Sequence, residues 1–200
     1  MRKWLCVPMM TLLVLLTGCS GEAAVNLRDA YQEMSGCIME AVISCGWEEQ
    51  IWEATLRCDY VPSGESTVEV LEPETIAGVK AVIRETDWSL EYEDTVLNVG
   101  TLSPESISPA DCLPRLMSAL RDGWLLEENE ENWNDVPCLR ITVDQSGTQD
   151  GKILSTLWLR QEDGKPLRGE IAVEDKIILT AEFTSFDFYD TIDHQNSNLS

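Results

Sequence analysis

From Cys37 onward, apolar and polar side chains alternate with a period of two, segment after segment. Successive side chains of a strand point to opposite faces, so this period marks strands with one covered face and one wet face. In 50–60, Trp52, Ala54, Leu56, Cys58 and Tyr60 alternate with Ile51, Glu53, Thr55, Arg57 and Asp59. Residues 37–45 read as the preceding strand, joined to it by a loop over Gly46 to Glu49. That register sets Ile43 opposite Trp52, Met39 opposite Leu56 and Cys37 opposite Cys58, the cross-strand pairs that stabilise a sheet. Further strands are expected at 67–71, at 80–85 and where Trp88, Leu90 and Tyr92 alternate with Ser89, Glu91 and Glu93; 96–99 continue the last after a kink. Leu139, Ile141 and Val143 mark another, and 153–160, apolar on both faces, a central one. Asp163-Gly164 is a hairpin turn signal. Leu167, Gly169, Ile171 and Val173 follow it, Glu174-Asp175 turns again, and 176–188 form a long last strand.

Two segments carry the helical period instead. Leu27, Tyr31 and Met34 recur at i, i+4 and i+7 on one face, ended by Ser35-Gly36. Ser108-Pro109 opens the second, a capping serine before a proline in the first turn. Leu113, Leu116, Met117 and Leu120 form its stripe, and Gly123 stands where a C-terminal cap belongs. Pro114 forbids an unbroken helix from Pro109, so a first turn is expected, then the helix proper from Pro114.

The N-terminus has a different character. Arg2 and Lys3 precede an apolar run, Leu12 to Leu16, which ends in Leu16-Thr17-Gly18-Cys19. The run is too short to span a bilayer and sits where a secretory apolar core belongs. The pattern is that of a bacterial lipoprotein signal, with Cys19 the lipidated residue; an ordinary secretory signal or a short membrane anchor are the alternatives. The chain thus divides into a signal peptide (1–18), a tether (19–25), one domain (26–190) and a polar C-terminal tail (191–200). The expected place is extracytoplasmic, at the bacterial cell envelope, anchored to the membrane.

Charge narrows the partners. Of 200 residues, 36 are acidic and 14 basic. Without residues 1–18 the basic count falls to 12 and the formal charge to −24. Phosphate backbones need a concentrated positive field, so nucleic acid is excluded as a partner. Anionic headgroups would repel this body, and attachment must come from acyl chains, which contribute about 0.8 kcal/mol per buried CH₂.

Candidate chemistry is sparse. After Cys6 and Cys19, five thiols remain, an odd number, with no CxxC spacing: Cys37, Cys45, Cys58, Cys112 and Cys138. A Cys37–Cys58 bridge is conceivable in the expected register; buried, reduced thiols are the favoured reading. The one histidine, His194, lies in the tail, so neither a zinc site nor a preorganised histidine base is expected. Residues 144–151 alternate oxygen-bearing side chains, yet Gln149 and Ser155 stand where a calcium loop needs Gly and Glu. Residues 127–131 read as an acidic solvated strand or loop. With no phosphate-binding glycine motif either, no cofactor, no metal and no enzymatic activity are expected.

The order of elements resembles a known superfamily. A lipobox, a short amphipathic helix and a hairpin lead into strands with a Pro73–Val79 turn, then a proline-containing helix and closing strands. The segment 157–171 (LWLRQEDGKPLRGEI) is similar to the strand, turn, Pro-Leu-Arg, strand segment of the LolA-like superfamily. That superfamily includes lipoprotein carriers, lipoprotein receptors, mycobacterial lipid-binding lipoproteins and RseB-like stress sensors. The resemblance implies an α+β, mainly antiparallel fold: a strongly curved, incomplete β-barrel with helices in its concave face. It also implies a lipid or amphiphile held between sheet and helices. The positions it points to are Trp52, Leu56, Trp88, Leu90, Tyr92, Leu157 and Leu159 on the sheet and Leu113, Leu116, Met117 and Leu120 on the helix. Two outcomes are open: a cavity, or the same side chains filling a core. A second function class, a sensory or assembly lipoprotein binding an envelope protein, predicts an exposed apolar patch or sheet edge.

Overall fold

The computed structural model describes residues 21–47, 50–84, 87–100, 107–146 and 152–189. Cys19, the signal segment, residues 147–151 and the tail lie outside them. Among the described residues, eleven strands make one antiparallel sheet, accompanied by two helices. A first meander runs β1 (Cys37–Trp47), β2 (Gln50–Tyr60), β3 (Ser66–Glu72), β4 (Lys80–Ile83), β5 (Trp88–Tyr92) and β6 (Thr95–Gly100). A second runs β7 (Trp124–Trp133), β8 (Val136–Asp144), β9 (Ile153–Arg160), β10 (Pro166–Val173) and β11 (Lys176–Phe188). Pairing of β1 with β11 joins the meanders, and the sheet ends at β6 and β7 without closing. This is the curved incomplete barrel of the expected fold class. Helix α1 (Gly21–Glu33) precedes the sheet, and α2 (Cys112–Asp122) links the meanders.

The inward face follows the period of two. Met39, Ala41 and Ile43 of β1, Ala54, Leu56 and Cys58 of β2, and Leu139, Ile141 and Val143 of β8 are buried in one core. Leu157 and Leu159 of β9 join them. Leu113, Leu116, Met117 and Leu120 of α2 press into the same face, all without solvent exposure. Contact with β10 is close because residue 169 is glycine: a Cβ there would stand 2.7 Å from Leu116 Cδ1. The outer face of β9 mixes Leu154 and Trp158 with Thr156 and Arg160; Trp158 is covered by Trp133 (ring centroids 5.6 Å apart), and the Arg168 guanidinium lies 4.7 Å from the Trp133 ring.

Several expectations are corrected. The β1–β2 pairing runs to Trp47↔Gln50, so Cys37 faces Tyr60, Met39 faces Cys58 and Ile43 faces Ala54. The shift is two residues, which keeps every side chain on its expected face, as a one-residue slip would not. Cys37 and Cys58 are therefore diagonal, not opposite, and all five described cysteines are free. Residues 96–99 do not prolong β5: the chain reverses at Glu93 (φ 51°) and returns as β6. The acidic run 127–131 lies within strand β7, one of the two readings left open, with Arg140 of β8 reaching Glu127 (3.1 Å) and Glu131 (3.6 Å). The first helix starts at Gly21, inside the stretch expected as tether.

The second helix begins at Cys112, two residues before Pro114. Pro114 is third in the helix, where its missing N–H has no intrahelical partner to lose. Asp111, not Ser108, occupies the cap position. At the other end Arg28 of α1 donates to Leu120 O and Gly123 O, both at 2.8 Å, and to Arg121 O at 3.5 Å. One guanidinium thus satisfies carbonyls that the helix end leaves open and opposes its negative pole. Tyr31 anchors α1 to the sheet, its hydroxyl donating to Gly164 O at 2.6 Å and its ring packing edge-on against Phe188. Gly164 itself has φ 70°, the conformation that the Asp163-Gly164 turn needs.

Candidate functional site

The second helix covers only part of the concave face. It packs most against β2, β8, β9 and β10. Over β2–β5 lies an apolar groove of about 200 Å³. Trp52 and Leu56 of β2, Val68 and Val70 of β3, Ala81 of β4 and Leu90 of β5 line it. Val79, in the turn before β4, and Ser108, Pro109 and Ala110, before α2, complete it.

Local hydrogen bonds hold each wall. Val70 N donates to Val79 O (2.9 Å) and Gly78 N to Val70 O (2.8 Å), which folds the Pro73–Val79 excursion back so that Val79 lies beside Val70. The turn over the groove is pinned from α2: Ser108 N donates to Asp111 Oδ1 at 2.9 Å, and Asp111 Oδ2 pairs with Arg115 at 3.1 Å in a largely buried ion pair. Ser108 Oγ accepts from Ala110 N at 3.2 Å. Only Trp52 and Ser108 bring polar side-chain atoms to the lining. Apolar pockets with few polar groups suit hydrocarbon.

Of the residues that the sequence singled out, Trp52, Leu56 and Leu90 meet at the groove. Trp88 is half-buried and packs against the core, and Tyr92 is 48% exposed near the β5–β6 turn, outside the lining. Leu113, Leu116, Met117, Leu120, Leu157 and Leu159 fill the core between α2 and the second meander. Sequence reading passed over Val68, Val70, Val79, Ala81 and the 108–110 turn. The alternation of Val68 and Val70 in β3 was the available signal; nothing local distinguishes Ala81, whose small side chain opens the floor.

Elsewhere the perturbed groups are mainly buried thiols and tyrosines. Burial pushes the Cys37 thiol up to about 12, reinforced by the Asp59 carboxylate. It raises Cys58, with smaller contributions from Cys37, Cys112 and Asp59, and raises Cys112, reinforced by Asp111. Thiols held neutral in this way are poor nucleophiles. Hydrogen bonds from Ser146 draw Asp144 below the usual carboxylate range, the backbone donation being 2.7 Å. Among the described residues no three His, Cys, Asp or Glu side chains are grouped to hold a metal ion. No described helix is long and apolar enough to cross a membrane.

No family model matches the chain, and no curated protein matches it by sequence. Among solved structures, several are similar at a low level. A LolA superfamily protein from Nitrosomonas europaea is 12% identical with a TM-score of 0.47, covering 88% of this chain and 96% of that one. LprF from Mycobacterium bovis is 15% identical with a TM-score of 0.47, over 86% and 96%. A DUF1329 family protein from Desulfovibrio piger is 14% identical with a TM-score of 0.49, over 90% and 97%. The likeness to each is weak: identity stays at or below 15%, and none of the three TM-scores reaches 0.5.

Proposed function

We propose that this protein is an extracytoplasmic lipoprotein, moored through Cys19, that holds the hydrocarbon chain of a lipid or other amphiphile in the groove over β2–β5. The observation that carries this reading is the groove over β2–β5, lined by ten residues of which eight have wholly apolar side chains. The groove is small beside the ~300–1,000 Å³ of drug-sized pockets, so it suits one chain segment rather than a whole multi-chain lipid. The strongly acidic body favours an uncharged or zwitterionic headgroup over an anionic one. The binding step is burial without covalent chemistry.

Native mass spectrometry of residues 20–200, with a single-chain zwitterionic amphiphile added below the concentration at which it forms micelles, tests the reading. An amphiphile-sized adduct that organic extraction removes, and that an Ala81→Phe variant of unchanged thermal midpoint lacks, is the expected result. An adduct-free spectrum together with no uptake of a fluorescent alkyl amphiphile would defeat it.

A further inference from the structure

The two ends of the open sheet are built differently. β7 carries Glu127, Glu128, Glu130 and Glu131 along its length. Charge on an outer strand discourages another chain from adding to it. β6, at the other end, reads Thr95-Val96-Leu97-Asn98-Val99-Gly100, with neither charge nor proline. Val96 is 61% exposed, Leu97 60% and Val99 41%. Among the described residues no strand pairs with its outer side. An apolar, uncharged edge with a free row of backbone groups is a template for strand addition.

Register shows which groups are offered. Glu93 and Asp94 form a two-residue turn, with Tyr92 and Thr95 paired across it. Hydrogen-bonded and non-hydrogen-bonded pairs alternate from such a turn, so Leu90–Leu97 is bonded across the ladder and Glu91–Val96 is not. The N–H and C=O of Val96 therefore point away from β5, out of the sheet edge. Its side chain shares a face with Glu91, while Leu97 shares the groove face with Leu90.

Charge selects the occupant. Glu91, Glu93 and Asp94 stand beside the edge, and the whole chain carries −22. A second copy brings another body of the same sign, whereas a cationic segment is attracted. We infer that β6 docks an extended segment of a partner protein, β-branched and bearing lysine or arginine, which adds to the sheet as a further strand. This does not rest on the amphiphile reading.

The test uses the full chain in zwitterionic nanodiscs and a labelled synthetic peptide that alternates valine and threonine and carries lysine at both ends. Fluorescence anisotropy should show saturable binding that weakens as salt rises. Val96→Pro removes the outward N–H while sparing the ladder to β5, and should weaken binding at least about tenfold with the circular dichroism spectrum unchanged. Val96→Lys keeps the backbone donor and should weaken it through repulsion. Peptides with N-methylated valines, or with glutamate ends, should not bind. No binding of the parent peptide, or equal binding by Val96→Pro or by the N-methylated peptide, overturns the inference. So does a dimer in sedimentation that Val96→Pro dissolves, which would give the edge to a second copy.

Discussion

Alkyl chain length should set the affinity of the groove, up to a limit that its size imposes. The perturbation is a series of single-chain zwitterionic amphiphiles, lengthened two carbons at a time and kept below the concentration at which they form micelles. The groove holds about 200 Å³. A methylene takes roughly the volume of a water molecule, ~30 Å³, so about seven fill it. Each buried CH₂ contributes about 0.8 kcal/mol, which is about fourfold in Kd. Seven contribute roughly 5–6 kcal/mol before the cost of lost ligand freedom, so binding should be no tighter than submillimolar unless the headgroup adds contacts. The dissociation constant should thus fall about fourfold per carbon to seven or eight carbons and then level off, because further methylenes stay in water. Tryptophan fluorescence reports it: Trp52 lines the groove and is 38% exposed, so a chain laid against it should shift its emission, and Trp52→Phe should remove most of the change. A slope that continues undiminished to long chains would mean adsorption to an open surface. A flat series from the shortest member would mean that hydrocarbon does not enter. Either result refutes the reasoning.

Other consequences are equally direct. Arg28→Met strips the end of α2 of its donor, and should lower unfolding free energy by about 1–3 kcal/mol, seen as ~2–4 °C in thermal midpoint per kcal/mol; Arg28→Lys, a point charge without the fork, should recover only part. A midpoint within error of the parent would show that water replaces the guanidinium. Asp111→Ala removes the largely buried Asp111–Arg115 ion pair and frees the 108–110 turn, costing about 1–3 kcal/mol in urea unfolding and weakening alkyl binding in the same variant. Stability should also decline in alkali. Cys37, Cys58 and Cys112 stay neutral when folded, whereas an unfolded thiol ionises near pH ~8.5, so above that pH the unfolded chain binds fewer protons. The contribution is intact below pH ~8.5 and is lost as pH rises toward the folded value of Cys37, about 12, at up to about 1.4 kcal/mol per pH unit for each thiol. Denaturant unfolding at pH 8 and pH 10 that gives equal free energies would show these thiols in contact with water.

Much of the architecture was legible because period and turn chemistry are local. Alternation assigned Ala54, Leu56, Cys58, Leu139, Ile141 and Val143 to the covered face, and all six are buried. Asp163-Gly164 and Glu174-Asp175 announced their turns, and the stripe of Leu113, Leu116, Met117 and Leu120 announced a packed helix. The rest depended on relations between distant segments. Alternation is blind to a two-residue shift, so it could not choose between Cys37↔Cys58 and the observed Cys37↔Tyr60. Nor could it tell a kinked strand from the β5–β6 hairpin, since both leave the same side chains apolar. The groove is of this second kind. Sequence alone marked Leu56, Leu90, Leu157 and Leu159 as equivalent inward residues. The order of strands and the reach of an eleven-residue helix decided that the last two lie under α2 while the first two floor an open space. Which way a side chain faces is settled by its own neighbours in the chain; what it meets there is settled by segments that only the folded sheet brings together.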